Sequence, residues 1–236
     1  MGAHPSPSLN GDSWSFGGRL AVFALSLTSI AALLVEFYDV VPMRTFTFGV
    51  FLPSLLLLGI LSVFDGTMGS GALARSVIHG CLGGLIAAVA YDLFRLPFVF
   101  SHSWGLDAVV PSLPLFKVFP RFGALILGEP LEQVHYSLAT QWVGWSYHFS
   151  NGATFGVLYL ASIGDAIRRH WLWAVVMAVG LELGMLFTPY PAYFHIRATS
   201  TFIAVTLSAH LIFGVVLGQV TRFLALRNPP LLPTER

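Results

Sequence analysis

The sequence has few charged residues, and this scarcity excludes several classes of protein. Only 10% of the 236 residues are Asp, Glu, Lys or Arg, whereas about 25% is usual in soluble domains. The 12 basic and 11 acidic residues leave a formal net charge of +1. The chain therefore lacks the basic excess of a nucleic-acid-binding protein and the charge bias of a disordered segment. We expect no nucleic-acid partner.

Cysteine and lysine are almost absent as well. The single Cys81 excludes an internal disulfide framework and any metal site built from several cysteines, and Lys117 is the only lysine. The His-Glu-x-x-His motif of zinc proteases, the Gly-x-Ser-x-Gly nucleophile motif and paired His-x3-His boxes are missing too. The sequence therefore identifies no catalytic residue and no cofactor, and it predicts no metal site.

Long apolar runs are abundant, because 56% of the residues are hydrophobic. A helix needs about 20 mostly apolar residues to cross a bilayer. Six stretches meet this test, and Pro53 in the second of them predicts a kink. The stretches are 19–38, 46–64, 75–94, 142–160, 171–188 and 200–222. They predict an all-α, polytopic bundle of transmembrane helices in which the lipid bilayer is the principal partner.

The connection 95–141 leaves the number of spans open. Its most apolar part, 113–130, is interrupted by charged residues and a proline, so we read it as a re-entrant or interfacial segment in a six-span protein. With a cytoplasmic N-terminus, six spans place seven Lys and Arg residues inside and five outside; seven spans with the opposite orientation place nine inside and three outside. Segment length thus favours six spans, and the positive-inside rule favours seven.

The two ends of the chain differ from the apolar part between them. Residues 1–18 are polar and rich in Gly, Pro and Ser, which predicts a flexible N-terminal tail. Residues 227–236 predict a short C-terminal tail. Between them, 19–226 predicts a single transmembrane helical domain.

Three of the predicted helices repeat a histidine followed by small residues at four-residue steps. The repeats are His79, Gly83 and Ala87; His148, Gly152 and Gly156; and His210, Gly214 and Gly218. Steps of four place residues on one stripe of a helix, and small stripes let helices approach closely in lipid. We expect these three helices to pack around a common seam.

Two of these helices carry a resemblance to known proteins. The segments YHFSNGATFGVLY and AHLIFGVVLG resemble elements of uncharacterised bacterial multi-pass inner-membrane proteins. The resemblance implies a prokaryotic protein of the inner (cytoplasmic) membrane, and it brings no activity with it.

Four polar residues are expected at mid-membrane depth. Glu182 lies in the middle of an apolar span, His210 near the middle of the last span, and His148 and Asn151 about a third of the way into theirs. Ionisable groups are costly in lipid and usually mark a paired or functional site. We predict that these residues line a ligand or ion pathway; hydrogen bonds that only orient the helices are the alternative.

Four further residues are expected near the membrane surface. Asp92 and Arg95 are three residues apart at the end of a predicted span, where they could form a local ion pair or line an entrance. His195 and Arg197 lie in the turn between the last two spans, where they could bind an anionic headgroup.

Three classes of function fit this pattern. The first is movement of a proton, an ion or a small solute through the polar cluster. The second is an accessory or structural subunit that docks with other membrane proteins. The third is a membrane-embedded enzyme or redox protein acting on lipid or quinone, including one with a haem between His148 and His210.

Overall fold

The computed structural model describes residues 16–227, and it forms helices and no strand within that range. The helices are α1 (Phe16–Phe37), α2 (Met43–Phe46), α3 (Leu52–Met68), α4 (Ala72–Val99), α5 (Val118–Leu127), α6 (Leu138–Ile163), α7 (Leu172–Leu186), α8 (Tyr190–Tyr193) and α9 (Ser200–Arg227). The predicted tails lie mostly outside the described residues. Helix α1 starts three residues before the predicted boundary at 19, and α9 ends at Arg227.

Four helices in the described part of the chain are long and apolar enough to cross a membrane. They are α1, the continuous helix Met43–Met68, α4 and α9. Helix α6 is also long, with 26 residues, but it carries more polar side chains. Helices α5 and α7 are apolar and shorter, with 10 and 15 residues.

The second predicted span contains a local change of helix type where the sequence predicts a kink. Residues Thr47–Phe51 form a π-helical turn between α2 and α3, and Pro53 follows in the first turn of α3. Proline cannot donate a backbone hydrogen bond, and its ring clashes with the carbonyl four residues earlier. The wider π-helical turn lets the helix continue without a break past Pro53.

Helices α4 and α6 lie antiparallel along two pairs of glycines. A Cβ added at Gly84 would lie 2.0 Å from the carbonyl oxygen of Gly152, and one added at Gly156 would lie 2.0 Å from that of Gly80. The two backbones are thus in direct contact, which is the approach that small residues permit in membrane helices. Helix α4 contributes Gly80 and Gly84 to this contact, rather than the predicted stripe that begins at His79.

The other two predicted stripes face different neighbours, so the expected common seam is wrong. Gly83 of α4 lies against Thr221 of α9, whereas Gly214 of α9 lies against the backbone of α7 at Val175. Gly218 likewise meets the carbonyl oxygen of Trp171 at the start of α7. Each stripe therefore contacts a different helix, and no common seam forms.

Helices α1 and α5 complete the surroundings of α6. The Ser29 and Thr154 hydroxyls are 2.7 Å apart, and the Tyr147 hydroxyl donates to the Ser29 carbonyl at 2.6 Å. On the other side of α6, α5 packs so closely that a Cβ at Gly123 would lie 1.9 Å from the Thr140 carbonyl oxygen. The second half of α6 is consequently buried in protein, whereas Leu138 and Trp142 near its start remain exposed.

A cavity between two charged walls

A cavity of about 170 Å³ lies within the bundle, between the C-terminal halves of α1, α4 and α7, the middle of α6 and the N-terminal half of α9. Helices α5 and α8 cover it from one end. Most of its wall is apolar or aromatic. The polar side chains on the wall are Tyr91, Arg95, His148, Asn151, Glu182, Tyr190 and His210.

One wall is built around a buried three-residue charge network. Asp92 Oδ1 lies 3.3 Å from Arg95 Nη1, and Asp92 Oδ2 lies 2.9 Å from His148 Nε2. A second guanidinium nitrogen of Arg95 donates to the carbonyl oxygen of Leu115. Asp92 therefore accepts from two partners on two helices, and the positive charge of Arg95 is compensated inside the protein.

Aromatic rings cover the Arg95 guanidinium. Its central carbon lies 4.7 Å from the ring centroid of Tyr91, 5.1 Å from that of Phe116 and 5.3 Å from that of Phe119. Phe119 also stacks on the His148 ring, with centroids 4.1 Å apart. These ring faces are attractive surfaces for a cation, and they fix Arg95 and His148 in place.

The opposite wall carries a second carboxyl–imidazole pair. His210 Nδ1 lies 3.0 Å from the Thr206 carbonyl oxygen and 3.6 Å from Glu182 Oε2. Because a carbonyl can only accept, Nδ1 carries a hydrogen. In the neutral ring, Nε2 is then free to accept a proton or a hydrogen bond. Glu182 is 8% exposed and makes no hydrogen bond with any described residue.

Two more polar atoms of the cavity wall lack partners. Asn151 Oδ1 and Arg95 Nε are buried, and neither has a hydrogen-bond partner among the described residues. Buried polar atoms are normally paired, so each exception calls for an explanation. The cavity wall therefore carries two acceptor groups, the Glu182 carboxyl and Asn151 Oδ1, and one donor, Arg95 Nε, that make no hydrogen bond to a described residue.

The structure brings all four predicted pathway residues to this one cavity. Glu182, His148, Asn151 and His210 lie on three helices and all line it. Asp92 and Arg95 form the local ion pair that their spacing allows, with 3.3 Å between Oδ1 and Nη1, and Arg95 lines the cavity. An entrance at these residues near the membrane surface stays a prediction.

His195 and Arg197 lie away from the cavity. Both are exposed, and His195 Nδ1 lies 3.4 Å from Glu132 Oε1, which also pairs with Arg121. Although desolvation alone would raise the pKa of Glu132, the Arg121 charge and the hydrogen bonds from His195 and Arg121 hold it below its ordinary value. Binding of a headgroup by His195 and Arg197 stays a prediction.

The sequence contained a signal for Tyr91 that was missed. The Tyr91 ring lies edge-on to the His210 ring at 4.9 Å and 6.0 Å from the His148 ring, so it separates the two imidazoles. Ala88, Tyr91 and Arg95 are spaced as i, i+3 and i+7, which places them on one face of α4. This spacing predicts a shared wall without any knowledge of the fold.

The geometry favours neither a metal nor a haem at this position. Within residues 16–227, no three His, Cys, Asp or Glu side chains are placed so that they could hold a metal ion. The cavity of about 170 Å³ is close in size to an apolar cavity of about 150 Å³ that holds one benzene. A porphyrin is far larger, and Tyr91 lies where it would have to insert between His148 and His210.

Comparisons with known proteins identify no family for this chain, so its class is defined by the fold and the cavity. No family model, no curated protein and no solved structure matches the chain. Residues 16–227 form helices only, four of which are apolar and of membrane length, and a small, mostly apolar cavity with several ionisable side chains lies among them.

Proposed function

We propose that the chain crosses the bacterial inner membrane six times, with α5 as a re-entrant segment. Antiparallel packing of successive long helices supports this count, since it places the connections 37–43, 99–138 and 186–200 at one end and 68–72 and 163–172 at the other. Helix α5 spans about 15 Å at 1.5 Å per residue, about half of the hydrocarbon thickness. Its length favours six spans over seven.

We further propose that the protein carries a small solute across the membrane through the cavity. One observation carries this proposal: an internal cavity collects Glu182, His210, His148 and Arg95 from four helices of the bundle. Ionisable groups in a membrane interior usually line a pathway or bind a substrate. Carboxyl and imidazole groups can also exchange protons during a transport cycle.

The position of the cavity means that such a carrier needs a second conformation. The cavity lies nearer to the end that bears α5 and α8, and the glycine contacts of α4 with α6 close the bundle beyond it. With the N-terminus in the cytoplasm, the cavity faces the periplasmic half. Passage to the cytoplasm therefore requires a second state in which these helices separate, as in alternating access.

The accessibility of one introduced cysteine tests this proposal. Leu181 lines the cavity beside Glu182, and Cys81 is the only native cysteine. In a Cys81→Ser background, we expect the thiol of Leu181→Cys to react with a charged, membrane-impermeant reagent added from either face of oriented vesicles. Labelling from both faces is expected because a carrier exposes its site alternately.

A matched substitution at a lipid-facing position provides the control. Leu56 is 67% exposed on α3, so Leu56→Cys should remain unlabelled from both faces by the same reagent. Labelling of Leu181→Cys from one face only would identify a binding pocket without passage. This result, or no labelling at all, would contradict carriage and leave the accessory-subunit and enzyme alternatives.

A further inference from the structure

Glu182 is the group in the cavity with the least compensation. It is nine-tenths buried, its carboxyl is directed into the cavity, and it makes no hydrogen bond to a described residue. Its one polar neighbour, His210 Nδ1, lies 3.6 Å away and already donates to the Thr206 carbonyl oxygen, and a buried carboxylate with such weak pairing is unfavourable. The site is therefore incomplete until a proton or a cation joins Glu182.

The charged groups that each helix brings to the cavity also indicate that one positive charge is missing. Helix α4 contributes Arg95 and Asp92, which cancel each other. Helix α6 contributes the His148 imidazole, α9 the His210 imidazole and α8 the neutral Tyr190 hydroxyl. The parts of α1 and α5 that reach the cavity are apolar. Among these groups, the Glu182 carboxyl is the one acidic group with no cationic side chain within hydrogen-bond distance, so one positive charge beside it would complete the site.

An anion is a poor fit to the same cavity. The Arg95 charge is already neutralised by Asp92, and three aromatic rings lie over the guanidinium. A cation has more favourable surroundings, because the cavity is also lined by Phe122, Phe155 and Phe213, and aromatic rings attract positive charge. The unpartnered Asn151 Oδ1 adds a second acceptor on the wall, and an ammonium group has several N–H donors.

We infer that the cavity accepts a small organic ammonium ion with an apolar body, and that this cation competes with a proton for Glu182. The inference rests on the proposed function, since it names the class of solute that would be carried. The volume of about 170 Å³ suits a molecule about the size of one substituted benzene ring. Because one charge satisfies the site, the proton leaves when the ammonium enters.

Three probes of similar size and different charge test this inference. Benzylammonium, benzyl alcohol and benzoate each carry one benzene ring, and their binding to the detergent-solubilised full chain can be measured by calorimetry at neutral pH. We expect benzylammonium to bind at least about 30-fold more tightly than the other two probes, since only it supplies the missing charge. This comparison requires no variant.

Variants at two carboxyl positions sharpen the test. Glu182→Gln should weaken benzylammonium binding by about 30-fold and change benzyl alcohol binding by less than about 3-fold. Glu132→Gln, which removes a carboxyl outside the cavity, should leave both values unchanged. If Glu182→Gln does not fold, Glu182→Asp keeps the charge and should keep the preference for benzylammonium.

The outcomes separate this inference from the proposed function. Absent benzylammonium binding, or equal or tighter binding of benzyl alcohol or benzoate, overturns the ammonium inference. Two-sided labelling of Leu181→Cys would then still support carriage of another solute. Conversely, Glu182-dependent binding of benzylammonium together with one-sided labelling keeps the ligand class and rejects carriage.

Discussion

Replacing Gly84 by alanine is expected to reduce the free energy of unfolding by about 3 kcal/mol, the upper end of the usual range for overpacking. The new Cβ would lie 2.0 Å from the Gly152 carbonyl oxygen, and backbone on a packed helix cannot rotate aside as a side-chain tip can. Helices α4 and α6 would have to separate and lose their close contact. The thermal unfolding midpoint of detergent-solubilised protein measures this loss.

The control for this substitution is the same change on an outward face. No described atom lies within 4 Å of a Cβ added at Gly59 in α3. Alanine is also a better helix former than glycine by about 1 kcal/mol, so Gly59→Ala should leave the midpoint unchanged or raise it. Equal destabilisation by both variants would show that the effect does not come from the α4–α6 contact.

Removing the charge of Asp92 is expected to destabilise the protein by about 3–5 kcal/mol, the usual cost of breaking a buried ion pair. Asparagine has nearly the same shape, but it leaves the buried Arg95 guanidinium without a counter-charge and weakens the contact with His148. The cavity wall should distort because these residues tie α4 to α6. Chemical denaturation in mixed micelles provides the free energy.

Two comparisons isolate the charge effect at Asp92. Asp107→Asn breaks an exposed pair with His102, and it should cost less than about 1 kcal/mol. Adding Arg95→Gln to Asp92→Asn removes the uncompensated charge, so the double variant should recover part of the lost stability. A double variant that is less stable by the full sum of the two single effects would be inconsistent with a coupled pair.

The apolar helices were predictable because their sequence signal is local. The long runs in α1, α4 and α9 exceed what a soluble core helix requires, and each lies within a few residues of its predicted bounds. Six or seven spans could not be distinguished in this way. Segment 113–130 forms only the ten-residue α5, and charge bias depends on all the connections together.

The pairing of helices was not predictable from the glycine repeats. Gly152 could have faced any small stripe, and in the structure it meets the backbone of α4 at Gly84. The approach of Glu182 to His210 was expected from their similar depth in the sequence. The contact of Asp92 with His148 was not, because hydropathy gives depth along a helix and no direction around it.

The central claim is that the cavity holds one positive charge at Glu182, supplied either by a proton or by a cation. Calorimetry of benzylammonium binding in buffers of different ionisation enthalpy counts the protons released and tests this claim most directly. We predict release of about one proton per bound molecule where the empty site is protonated, and none for Glu182→Gln. Binding to the unmodified chain without proton release at every pH between about 5 and 8 would contradict the account.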